Sequence, residues 1–146
     1  MRHAVGVTLL VATILASGWP VSAQSGKTYK ARLSPVPLDV AMQATVSGSG
    51  SVSAVLTGTT LSINGTFEGL RSPATIAQVH RGPKGIRGPV AFDLTVSKGT
   101  SGTLSARIAL TPPLIADLEN SRLYVQVHSE KAPDGNLWGW LLQEKR

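Results

Sequence analysis

Apolar side chains recur at every second position along much of this chain. Val52 and Ala54 sit among serines in Gly50 to Leu56, and Leu61 and Ile63 alternate with Thr60, Ser62 and Asn64 after a Thr57-Gly58-Thr59 turn. A period of two puts one set on a buried face and the other toward solvent, so these stretches predict two strands joined by a tight turn. The same alternation appears at Val90, Phe92, Leu94 and Val96, and again at Leu104, Ala106, Ile108 and Leu110. Ala74 to His80 forms a further strand after Ser72-Pro73, and Arg122 to Ser129 with Leu137 to Gln143 forms a closing pair across Lys131 to Gly135. Thr111-Pro112-Pro113 differs: a cap residue and a proline at the first helical position precede Leu114, Ile115 and Leu118 at helical spacing, up to Asn120. One short helix is expected there. Seven or eight short strands and one helix predict an all-β antiparallel sandwich or barrel.

The N-terminus carries a different pattern. Met1-Arg2-His3 is followed by 13 nearly uninterrupted apolar residues, Ala4 to Ala16, then by Gly18, Pro20 and Val21-Ser22-Ala23. That run is too short for a stable membrane span, and its charged start and small-residue end are those of a secretory leader. Residues 1–23 are therefore expected to be a signal peptide cut after Ala23, with residues 24–146 as one exported domain, periplasmic or secreted. No transmembrane segment is expected after cleavage. In residues 24–146, 13 basic against 8 acidic side chains give a net charge of +5. This is too ordinary to argue for nucleic acid, which export makes still less expected.

Composition narrows the chemistry. The chain has no Cys, which excludes disulfides, thiolate zinc sites, iron-sulfur clusters and thiol nucleophiles. No Gly-x-Ser-x-Gly elbow is present, and no glycine loop of phosphate-binding type precedes a helix. The expectation is that the protein is not an enzyme. The collagen-like run Gly82-Pro-Lys-Gly85-Ile-Arg-Gly88-Pro-Val90 holds three triplets between strands, so it is read as a loop.

The sequence is most informative where it repeats. Gln78-Val79-His80 recurs as Gln126-Val127-His128, and these are the only two histidines after residue 23. In a strand, Gln78 and His80 share a face, as do Tyr124, Gln126 and His128, while Leu123, Val125 and Val127 take the core side. If the strands are neighbours, two imidazoles and two amides converge, a set suited to copper or zinc once a further ligand completes it. Arg81, Lys84 and Arg87 add three cations within seven residues, a candidate anion-binding group.

These segments resemble the CHRD (chordin) domain family over roughly residues 28 to 143. The resemblance rests on Ala74 to His80, the glycine-rich loop to Val90, Leu114 to Leu118, Leu123 to His128, Pro133-Asp-Gly135 and Gly139. It implies an immunoglobulin-like β-sandwich acting outside the cytoplasm, with a largely undefined biochemical role. The family pattern has His at the position of Gln78 and Asn at that of Gln126, so a site of three imidazoles in the family would hold two here. Asn136, Trp138 and Trp140 stand where the family carries Glu, Arg and Gln. If the family register holds, Trp138 and Trp140 lie beside Tyr124, Gln126 and His128 and build an aromatic and amide face. The leading expectation is thus a non-catalytic module without cofactor that binds an envelope or extracellular protein, or a glycan, through Gln78, His80, Tyr124, Gln126, His128, Trp138 and Trp140. The alternative is copper or zinc held by His80 and His128. A faint similarity of Val127 to Asp134 to copper–zinc superoxide dismutase implies no such activity, because two histidines cannot supply its dinuclear ligand set.

Overall fold

A computed structural model describes residues 25–145, and the expected leader lies outside the described residues. Nine strands follow in chain order: β1 (Lys27–Pro35), β2 (Ser49–Thr57), β3 (Thr60–Glu68), β4 (Ala74–Arg81), β5 (Val90–Val96), β6 (Gly102–Ala109), β7 (Leu123–Ser129), β8 (Ala132–Trp140) and β9 (Leu142–Gln143). The helix α1 (Pro112–Glu119) lies between β6 and β7, and a 3-10 turn over Ala41–Ala44 lies between β1 and β2. No helix among the described residues is long and apolar enough to cross a membrane.

The expected β2–β3 hairpin forms, and its register runs from Ser49 opposite Glu68 to Thr57 opposite Thr60. Helix α1 begins at Pro112 after an extended Thr111, and Asn120 ends it by donating its backbone and side-chain N–H groups to the Ala116 carbonyl. Leu118 is buried and Leu114 and Ile115 pack against the core.

Of the expected sandwich or barrel, the structure forms a closed barrel. The order is β2-β3-β6-β5-β4-β7-β8-β1, and β1 pairs back onto β2, so eight antiparallel strands complete the circuit while β9 pairs with β1. Closure depends on β1, a strand absent from the expectation. Its residues 27–33 pair with β2, whereas Ser34 and Pro35 pair with Trp138 and Leu137 of β8. Tyr29, Ala31 and Leu33 point inward and join Val52, Ala54, Leu61, Ile63, Val79, Leu104, Val125, Val127 and Leu137 in one core. The barrel is looser at one seam, where β5 and β6 pair only through Thr95–Ser105 and Val96–Leu104. Phe92, Ala106 and Ile108 beside it are half-buried, and Val90, expected on the inner face, is exposed.

The β7–β8 junction also departs from expectation. The second strand starts at Ala132, and between the pairs Ser129–Ala132 and Val127–Leu137 one residue of β7, His128, faces four of β8, Pro133 to Asn136. This wide bulge lifts the Pro133-Asp-Gly segment, read from sequence as a connecting turn, out of the ladder and over the outer face of β7. Gly135 makes the arch with φ +122°, a conformation that side-chain-bearing residues rarely adopt.

Gly139, opposite Val125 in β8, lies where β1 passes closest. A Cβ there would run into the Arg32 carbonyl oxygen and the Leu33 side chain. Gly139→Ala is expected to destabilise the barrel by about 1–3 kcal/mol through overpacking. Urea unfolding of the variant checks this, and an unchanged midpoint would show that β1 does not close tightly on β8.

Candidate functional site

The repeated Gln-Val-His segments do become neighbours. β4 and β7 pair antiparallel with Gln78 opposite Gln126 and His80 opposite Tyr124, and Trp138 and Trp140 of β8 stand opposite Gln126 and Tyr124. As expected, Val125 and Val127 face the core while Tyr124, Gln126 and His128 face away from it.

That second face is nevertheless buried. Tyr124 is 0 % exposed, Gln126 1 %, Trp138 4 % and the two histidines 8 % each. Trp140 is half-buried and Gln78, at the margin, donates its side-chain amide to Asp93 rather than into the group. Two backbone segments cover this face. One is the loop Arg81 to Pro89; the other is the Pro133-Asp-Gly arch. Ser34 and Pro35 of β1 lie alongside, paired with Trp138 and Leu137.

Both covers are fixed by the side chains beneath them. Trp140 Nε1 donates to the Gly82 carbonyl at 3.0 Å, and the Tyr124 hydroxyl accepts from Gly88 N–H at 3.0 Å. His80 Nδ1 bonds the Gly88 carbonyl at 3.0 Å, His128 Nδ1 bonds the Pro133 carbonyl at 2.7 Å, and Gln126 Nε2 donates to the Asp134 carbonyl at 2.7 Å. Asn136, fully buried, donates to Ser129 Oγ and accepts from Ser47 N–H, which ties the arch to the segment leading into β2. A Cβ on Gly135 would collide with the Gln126 amide, so the arch cannot rest this low with any other residue at that place.

The rings form a continuous stack. His80 lies on Tyr124 with centroids 5.0 Å apart and planes 13° apart, and Tyr124 lies on Trp138 at 5.5 Å and 11°. Trp140 tilts against Tyr124 at 4.7 Å, and the two imidazole centroids are 6.3 Å apart at 33°. The Arg87 guanidinium sits 5.4 Å over the Trp138 ring.

Hydrogen bonding sets the tautomer of both histidines. A carbonyl oxygen can only accept, so each Nδ1 carries the proton and, in the neutral ring, each Nε2 holds a bare lone pair. Both Nε2 atoms are buried and have no hydrogen-bond partner, and neither has Trp138 Nε1. Unsatisfied buried nitrogens are uncommon in a native fold and point to strain, a function or a guest. Burial pushes the His128 pKa down; the Pro133 hydrogen bond opposes this, the charges at His80 and Arg87 add to it, and Asp134 opposes it. Among the described residues, no third His, Cys, Asp or Glu joins the pair in a metal-sized group.

The three loop cations do not converge as a candidate anion site. Arg81 turns toward α1 and pairs with Asp117, which also binds Arg122, and Lys84 lies exposed on a groove with Pro83, Asn120, Ser121 and Arg122. Arg87 alone reaches the cluster. Conversely, sequence reasoning passed over the Gly88 and Pro133 carbonyls and Asn136. Only the glycine and proline content of their segments hinted at special backbone there.

What has been built is a small closed β-barrel with a second, polar and aromatic nucleus outside its core, under two backbone arches. The chain belongs to the CHRD domain family, whose model matches residues 29–141, and membership suggests a small binding-type domain. No curated protein and no solved structure matches it.

His128 has a folded-state pKa below its ordinary value of 6.5. The neutral ring therefore contributes stability that is complete above about pH 6.5 and is lost as pH falls below it, where the unfolded chain takes up the proton first. The chemical-denaturation midpoint of the metal-free protein is expected to drop between pH 7.5 and 5.5. In His128→Gln, which can still donate to Pro133, the drop should shrink; an equal drop in the variant would place the acid sensitivity elsewhere.

Proposed function

We propose that the protein is an exported, non-catalytic binding module whose binding centre is the buried His80–His128 pair and whose ligand is a transition-metal ion. The observation that carries this reading is the pair of Nε2 lone pairs, sealed from solvent, without partners, and held in one tautomer by carbonyl groups. Metal-binding imidazoles ordinarily use their second nitrogen in this way, donating Nδ1–H to a carbonyl so that the ring is aimed and its Nε2 is free. The leader-like residues 1–23 support export.

A glycan or protein partner on the aromatic face has less support. A stacking platform needs exposed ring area. Here Tyr124 and Trp138 are buried and their faces are taken up by His80, by each other and by Arg87. Trp140, the remaining half-exposed ring, has its N–H committed to Gly82.

The test is a panel of copper, zinc and nickel ions, each followed by thermal unfolding and by elemental analysis after dialysis, on the wild type and the His80→Ala/His128→Ala double variant. A cation present at about 100 times its Kd should stabilise the wild type by about 2.7 kcal/mol. It should also be retained at one equivalent per chain, and neither effect should survive in the double variant. Should no cation shift the wild type, or should the double variant respond equally, the reading fails.

A further inference from the structure

The site has two nitrogen donors, the Nε2 atoms of His80 and His128. A zinc ion in a protein site prefers four ligands, and a catalytic zinc site keeps three protein ligands with water in the fourth place. The pair lacks the additional His, Cys, Asp or Glu, and its nitrogens are closed to the water that would fill empty positions. Neighbouring polar groups are already engaged: the Gly88, Pro133 and Asp134 carbonyls each accept a hydrogen bond, and the Tyr124 hydroxyl is held by Gly88.

Two observations narrow the guest. The ring centroids are 6.3 Å apart. Two metal–nitrogen bonds of about 2 Å each, added to the half-widths of two imidazole rings, span about 6 Å when the donors oppose each other across one ion. Charge gives the second constraint. The Arg87 guanidinium sits over the cluster at Trp138, the Asp134 charge acts on His128 in the opposite sense, and the desolvation penalty of an ion rises with the square of its charge. A dry site without an anionic ligand therefore disfavours a divalent ion far more than a monovalent one.

Resting on the metal reading above, we infer that His80 and His128 form a two-coordinate site for a monovalent d10 cation, copper(I), and that it discriminates against zinc(II) and copper(II). A filled d shell and a single charge let copper(I) accept two opposed nitrogen donors without further ligands. The carbonyl-locked Nδ1–H groups pre-orient those donors, and the two arches keep out the water and oxygen donors that a divalent ion would require.

The deciding experiment is an anaerobic competition of the purified protein against a chromogenic copper(I) chelator, with silver(I) as a redox-silent second probe and zinc(II) and copper(II) titrated alongside. Trp138 and Trp140 report binding by fluorescence, and nitrogen NMR of the wild-type histidines reports which ring atom binds. One equivalent of copper(I) or silver(I) should bind at least about 100-fold more tightly than zinc(II), a difference of about 2.7 kcal/mol. The Nε2 resonances of both rings should move while both Nδ1 resonances stay protonated. His80→Ala and His128→Ala, taken singly, should each lower copper(I) affinity at least about 100-fold. The wild-type NMR pattern stands as the test if either variant fails to fold. Zinc(II) binding as tightly as copper(I), through the same two nitrogens, would overturn the selectivity and leave the metal reading intact. Silence from every cation would overturn both, and assign the two nitrogens to an ordered water donating to each.

Discussion

Two backbone carbonyls, those of Gly88 and Pro133, stand outside the strand ladders and are met by the Nδ1–H groups of His80 and His128. A part-buried hydrogen bond of this kind contributes about 1 kcal/mol net, and together the two help hold the arches down onto the barrel. The same bonds settle which nitrogen of each ring is left bare. Covering the aromatic face and preparing the donors of the proposed metal site are thus one structural act. Under that proposal the imidazoles are not ligands alone, since each is also the clamp of the segment above it.

This dual role explains why the protein carries two hydrophobic nuclei of different character. Inside the barrel, Leu33, Ile63, Val79, Val125 and Leu137 pack without polar atoms on their side chains. Outside it, Tyr124, Trp138 and Trp140 are large rings with polar tips, suited to a thin layer roofed by backbone, because each tip can meet a loop amide or carbonyl. Trp140 and Tyr124 do so at Gly82 and Gly88. Trp138 does not, and its N–H lies against Gly135 under the arch. Aliphatic residues could fill the same volume but could not hold the loops.

Much of the frame was legible in the chain. Period-two alternation marked β2 to β7 because each has one face in the barrel core, and Thr111-Pro112 marked the helix start because it fixes local backbone geometry. The repeated Gln-Val-His pointed to β4 and β7 as partners on one face, and they are. Three features escaped for one physical reason, dependence on contacts distant in sequence. β1 shows alternation at Tyr29, Ala31 and Leu33, yet the prolines after it obscured its extent, and its role as the closing strand is set by β2 and β8. The polar side of β7 looked solvent-facing because alternation separates two faces without telling whether the outer one is roofed. The roof comes from a bulge in which four residues oppose one, and Pro-Asp-Gly reads equally well as an ordinary turn. The loop cations likewise looked like a group until Asp117, 36 residues from Arg81, drew that arginine away.

The place of β1 in the barrel bears on the order in which the molecule can be completed. It is the first strand of the barrel to leave the ribosome, and β2, its first partner, follows closely. Its other partners, β8 and β9, are the last strands of the barrel, and Glu144 N–H bonds the Thr28 carbonyl at 2.9 Å. A chain that emerges N-terminus first therefore holds β1 half-paired until β8 and β9 arrive. His80 waits during the same interval for Tyr124, His128 and the arch above them. The barrel and the covered histidine pair are finished together, once β7 and β8 have joined, so a chain lacking those strands has neither.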